Sequence, residues 1–185
     1  GQILFAAQEE RFSRKKSDPR FPAEAIAWCL AEAGISIAHL EAIAFYDKPL
    51  LKLERILETF LSVAPSGLST FAKAMPGWAK ENLLLRRTLE RELAELGELP
   101  ARGDLLLFPD HHLSHAASSF YLSPFREAAL LTCDGVGEWA TTTQGTGRAR
   151  WDDKGTNEIR LSEEIRFPHS LGLLYSAFTA FLGFQ

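Results

Sequence analysis

Apolar positions change period several times along the chain, and each change marks an element. "FPAEAIAWCLAEAG" carries Ile26, Leu30 and Ala33 at helical spacing. Pro22 suits the first turn of that helix, and Gly34 is a natural stop. "EAIAFYD" and "DLLLFPD" are short apolar runs of strand length. Residues 48–96 hold mostly helical patterns, broken by "APSGLS" and "MPG". The last of them, "WAKENLLLRRTLERELAEL", alternates charge with Leu as an amphipathic helix does. Residues 2–8 (QILFAAQ) read as a strand, the second half of a β-hairpin. From Ala128 the pattern runs strand, turn, strand, turn, strand, helix, closing on "SLGLLYSAFTAFLG".

Short apolar strands alternating with helices argue for an α/β layer architecture. The order after Ala128 is that of a ribonuclease-H-like half of an actin-like ATPase fold. The expected division is a first ribonuclease-H-like portion at 1–127, with a helical insertion at about 48–98, and the start of a second at 128–185. The opening "GQILFAAQEE" and the closing "LLYSAFTAFLGFQ" lead us to expect a fold truncated at both ends, lacking its first strand.

Composition narrows the class. The 185 residues are 46% hydrophobic and 24% charged, as in an ordinary soluble globular protein. A net charge of −4 argues against a nucleic-acid surface, and the dense basic run is "RFSRKK", Arg11–Lys16. No run of 18 apolar residues predicts a spanning helix, and "ILFAA" is too short for a signal peptide. Cys29 and Cys133 lie far apart without metal or redox spacing. Reduced thiols in a cytoplasmic protein are the expectation.

Candidate chemistry concentrates in "DHHLSHAASSF", which holds three of the five histidines. On a helix, His111 and His115 are four apart and share a face, as two imidazoles on one metal ion require. His112 points about a quarter-turn away and is the poorer partner. The competing reading makes Asp110 an N-cap and the histidines a polar helix start. Two imidazoles leave an ion under-coordinated, and "LLTCDGVGEW" offers a third ligand. Asp134 ends an apolar strand, where open α/β sheets place ligands. Gly135 and Gly137 free the backbone to approach an anion, though Asp-Gly is also a common turn.

"AAQEERFSRKKSDPRFPAEAI", "DHHLSHAASSFYLSPF" and "LLTCDGVGEWATT" together resemble the nodulation and antibiotic O-carbamoyltransferases. The resemblance covers most of the chain outside the helical insertion. It implies the N-terminal, metal-binding domain, of the actin/sugar-kinase ATPase fold and similar to that of the tRNA threonylcarbamoyl-transfer enzyme. A YrdC-like domain, absent here, follows it in that family. The implied reaction converts carbamoyl phosphate and ATP to a carbamoyl-adenylate and passes the carbamoyl group to a hydroxylated, sugar-like or natural-product acceptor. Fe(II) is the implied ion, with Zn or Mn also suited to imidazole and carboxylate.

Residue by residue, the resemblance assigns His111, His115 and Asp134 to the metal; a further Asp ligand lies beyond Gln185. Gly135, Val136, Gly137, Glu138 and Thr141 fall to the nucleotide or carbamoyl site. Lys16, ahead of Lys15, falls to the acceptor. The family's catalytic histidine belongs to the missing first strand; His39 and His169 are open as replacements in principle, with no spacing that argues for either. Competing readings are a hydrogenase-maturation-type carbamoyltransferase acting on a protein thiol, a metal-free interaction domain, and a sugar kinase.

Overall fold

Helix α6 (His111–Phe120) shows why the elements fall where they do. His112, Ala116 and Phe120 recur every fourth residue and are its buried positions, the stripe a helix turns toward a sheet. That sheet is β3 (Glu127–Cys133), β4 (Ala140–Arg148) and β5 (Glu158–Arg166), antiparallel in the order β3-β4-β5. Its register sets Thr132 opposite Thr143 and Leu130 opposite Gly145. Ala116 and Phe120 pack with Leu130 and Ala149 into the apolar core beneath the helix, flanked by Ala128, Ile159 and Leu161. Gly147 makes room for this, because a Cβ there would stand 2.8 Å from the Phe120 ring.

The structure is a computed structural model and describes residues 3–100, 105–150 and 156–184. It divides into two compact units, residues 1–44 with 83–107 and residues 45–82 with 108–185. The first holds α1 (Glu10–Ser13), α2 (Ala23–Ala33), α5 (Leu85–Ala94), and the short parallel pair β1 (Ile43–Ala44) and β2 (Leu106–Leu107). The second holds α3 (Pro49–Val63), most of α4 (Leu68–Leu83), α6, the three-stranded sheet and α7 (Leu171–Phe181). The architecture is mixed α/β with small sheets.

Helix α2 starts and stops where its sequence predicts. Pro22 stands at the N-cap and Gly34 closes the helix in the left-handed region at φ 65°. Its free amides are met from outside the helix: the Glu9 carboxylate accepts from the Ala25 amide at 2.9 Å.

Four expectations need correction. Of residues 2–8, residue 2 lies outside the described residues and residues 3–8 form no strand; a strand exists only through a partner's hydrogen bonds, and no described segment pairs with them. "EAIAFYD" and "DLLLFPD" each contribute two paired residues rather than a full strand. "MPG" does not interrupt the helical region, because α4 runs through Pro76. The following amphipathic run is two helices, since Leu84 leaves the helical region at ψ 0° between α4 and α5. No described helix is long and apolar enough to cross a membrane. Cys29 and Cys133 are both unpaired.

Candidate metal site

Two elements of the second unit bring the candidate ligands together. Asp110 enters α6 with extended backbone, φ −60° and ψ 145°, so His111 and His115 stand one turn apart on one face. Asp134 follows the last residue of β3, and its amide donates to Thr141 O at 2.8 Å, closing the loop from β3 to β4. His111 Nε2 lies 2.6 Å from Asp134 Oδ2 and 3.1 Å from His115 Nε2. His115 Nε2 is 3.6 Å from the same oxygen. Among the described residues these form the one such group with all ligand atoms within 4.8 Å of one another.

The spacing can be tested against coordination chemistry. Donor atoms about 2.1 Å from a shared ion stand roughly 3.0 Å apart in octahedral and about 3.4 Å apart in tetrahedral geometry. Two of the three separations fall near that range, and the His111–Asp134 pair sits at hydrogen-bond length. The donor set fits a divalent ion of the Fe, Zn or Mn kind. His111 Nδ1 is buried with no hydrogen-bond partner among the described residues. None of them places an acceptor behind the ring to orient it, as usually happens at metal sites. Packing does so instead: Tyr46 meets the ring edge-on at 5.8 Å between centroids. A Cβ on Gly137 would stand 2.9 Å from its Cδ2.

Electrostatics favour an ionised carboxylate. Partial burial pushes the Asp134 pKa up, but the His111 hydrogen bond, the Gly135 amide at 2.6 Å and the nearby imidazoles more than offset it. The net direction is below the ordinary carboxylate value.

His112 belongs to the core, 4% exposed. Its Nε2 meets Ala140 O at 2.8 Å, and its Nδ1 meets Thr132 Oγ1 at 2.6 Å. A carbonyl only accepts, so Nε2 carries the proton and Nδ1 accepts from Thr132. Thr132 in turn accepts from Thr143 at 2.7 Å. Burial holds the His112 pKa below its ordinary value, consistent with this neutral form.

The other residues singled out in the sequence divide by position. Gly135, Val136, Gly137 and Glu138 form the loop after Asp134. The Gly135 amide is spent on Asp134, and Gly137 is buried against the His111 and His112 rings. Glu138 is buried, its carboxylate accepting from the Lys48 amide at 2.5 Å. Burial raises its pKa, outweighing the amide donor. Thr141 is fully buried, and its hydroxyl donates toward His169 O (2.6 Å) and Ile165 O (3.1 Å). Lys15 and Lys16 are exposed in the loop after α1, in the first unit.

Sequence reasoning missed the supports. Ser170 caps α7, accepting from the Leu173 amide, and its hydroxyl reaches Gly135 O at 2.6 Å and Asp134 O at 3.1 Å. A serine just before "LGLL" is a recognisable cap signal; what it grips is not written there. A cavity of about 810 Å³ borders the first turn of α6, with Asp110, His112, Glu138, Trp139, Glu163 and Phe167 in its wall.

The whole chain, residues 1–185, matches the family model described as carbamoyltransferase N-terminus. It is 54% identical to an uncharacterized protein of Synechocystis sp., over 100% of this chain and 29% of that protein. It is 34% identical to the nodulation protein NolNO of Sinorhizobium fredii, over 100% of this chain and 24% of that protein. An uncharacterized protein of Methanocaldococcus jannaschii is 32% identical over 56% of this chain and 17% of its own length. The chain thus spans less than a third of the length of these relatives. Matched from end to end by the family model, the chain belongs to the carbamoyltransferase N-terminus family.

Proposed function

We propose that this chain is the metal-binding portion of an O-carbamoyltransferase. On this reading the fold is of the actin/sugar-kinase ATPase type, and a YrdC-like domain of the same protein forms carbamoyl-adenylate from carbamoyl phosphate and ATP. The carbonyl carbon then exchanges its adenylate oxygen for a hydroxyl oxygen of a sugar-like or natural-product acceptor, and AMP leaves. The observation that carries the reading is the meeting of His111 Nε2, His115 Nε2 and Asp134 Oδ2, with family membership giving the reaction class.

His111, His115 and Asp134 would hold the ion. When bound, it neutralises phosphate charge and orients the reacting carbonyl. Asp134 stays ionised and His112 stays neutral and committed to the core, so the ligand face is presented by α6 without competition from the third histidine. The neighbouring cavity has a volume suited to a small molecule. Its carboxylates accept hydroxyl hydrogens and repel phosphates, while Trp139 and Phe167 offer flat apolar faces. That lining favours a hydroxylated acceptor over the nucleotide.

Metal content of the protein in its full natural length, measured by elemental analysis beside His115→Ala, tests the reading. Near one ion per chain in the wild type and loss in the variant is the expected result. Equal, negligible metal in both would leave "DHHLSH" as a helix start and remove the proposed clasp.

A further inference from the structure

We propose that Thr141 and Ser170 are positioning residues for Asp134: their hydroxyls close a circuit of hydrogen bonds around the backbone that carries it, and so set which carboxylate oxygen faces His111 and His115. The inference rests on reading His111, His115 and Asp134 as a metal site.

The circuit joins three elements. Just past β3, the Asp134 amide donates to Thr141 O at 2.8 Å, near the start of β4. The fully buried Thr141 hydroxyl donates to His169 O at 2.6 Å, at the entry to α7. Ser170 then closes the circuit, its hydroxyl reaching Gly135 O at 2.6 Å and Asp134 O at 3.1 Å. Asp134 is thus held at its amide from β4 and at its carbonyl from α7.

Neither hydroxyl is explained by its own element. As the cap of α7, Ser170 needs only to accept from the Leu173 amide, at 3.0 Å, which leaves its proton unassigned. That proton is turned onto the Asp134–Gly135 backbone. Thr141 is the extra residue of a β-bulge, skipped where β4 pairs Ala140 with Arg166 and Thr142 with Ile165. A bulge re-aims a side chain, and this one aims the hydroxyl at the carbonyl next to Ser170.

The consequence reaches the carboxylate through one planar group. Asp134 O and the Gly135 amide belong to the same peptide, so holding the first fixes the direction of the second. The Gly135 amide donates to Asp134 Oδ1 at 2.6 Å. With Oδ1 occupied, Oδ2 is the oxygen presented to His111 Nε2 at 2.6 Å and His115 Nε2 at 3.6 Å.

The experiment uses the protein in its full natural length, with Thr141→Val and Ser170→Gly beside Thr141→Ser and Ser170→Thr. Valine keeps the shape of threonine without the hydroxyl, and glycine is tolerated as a helix cap. Co(II) affinity is read by chelator competition, with the visible spectrum as a report on ligand geometry. Thr141→Val and Ser170→Gly should each bind about 10–100-fold more weakly and shift the spectrum, and the two hydroxyl-bearing variants should recover most of both. Because the circuit acts as a unit, the double variant should lose little more than the worse single one. A merely structural role would lower stability while leaving affinity and spectrum of the folded protein unchanged, and that result overturns the proposal, as do fully multiplicative losses in the double variant. If Thr141→Val does not fold, Ser170→Gly against Ser170→Thr decides by the same readings. If the wild type takes up no ion, the metal reading fails and the proposal falls with it; amide exchange at residues 134–135, faster in both variants, would then show a circuit that serves the fold alone.

Discussion

Replacing Gly172 by alanine sets two effects of opposite sign against each other. Gly172 lies in the first turn of α7, where alanine ordinarily favours the helix by about 0.5–1 kcal/mol. Here an added Cβ would stand 2.5 Å from Asp134 O and 2.7 Å from Gly135 N. Non-bonded heavy atoms prefer about 3.5 Å or more, so α7 must withdraw by roughly 0.7–1 Å. The obstructing atoms are backbone and cannot swing aside. Withdrawal also strains the Ser170 hydroxyl, which reaches Gly135 O at 2.6 Å while capping the helix. That hydrogen bond is worth about 1 kcal/mol, and overpacking of this kind costs about 1–3 kcal/mol. Steric cost therefore wins over propensity, leaving a net loss of about 1–2 kcal/mol. Thermal unfolding should fall by about 2–8 °C. Because the Ser170 hydroxyl that holds the Asp134 and Gly135 carbonyls withdraws with α7, ion affinity should fall in the same variant. A Gly172→Ala protein as stable as the wild type, or more so, would show that propensity decides and that α7 does not press on this peptide.

Two further outcomes follow from the core. Burial depresses the His112 pKa, so its folded value lies below the unfolded value of about 6.5. Its stabilising contribution is present above pH 6.5 and is lost as pH falls from there toward the depressed folded value. Denaturant midpoints measured against pH should decline through that window in the wild type, and less steeply in His112→Asn; equal slopes would refute the assignment. Phe120 is 2% exposed in the core, so Phe120→Ala should cost about 3–5 kcal/mol by denaturant titration. A loss below about 1 kcal/mol would mean that α6 does not rest on the sheet as described.

The α6 segment was legible because its information is local. Histidine spacing places two rings on one face, and Asp110 marks the start. The antiparallel strands beginning near Ala128 and the closing helix were legible for the same reason, from period and turn chemistry. The cap was not. Asp110 has the local signature of a capping residue, yet it makes no capping bond, and its Oδ1 is taken by Lys48 Nζ. Helix α2 is likewise supported from a distance, by the Glu9 carboxylate. "EAIAFYD" and "DLLLFPD" look like full strands because apolar runs report burial, while strand length depends on a partner's reach. The glycines of "DGVG" suggest an anion nest, yet Gly137 is required by the histidine rings packed on it. Sequence shows that a side chain is missing, but not which neighbour needs the space.

The three candidate ligands also have a kinetic meaning. His111 and Asp134 are separated by 23 positions, and the loop that follows closes at Thr141. Bringing these groups together closes a modest length of chain, and each doubling of such a loop adds only about 0.6 kcal/mol of entropy. One helix and one hairpin therefore suffice to assemble the pocket, as an event of low contact order. Pairing β1 with β2 must instead bridge the intervening helices, from Ile43 to Leu106. Chain connectivity therefore makes the ligand cluster quicker to form than the β1–β2 pair.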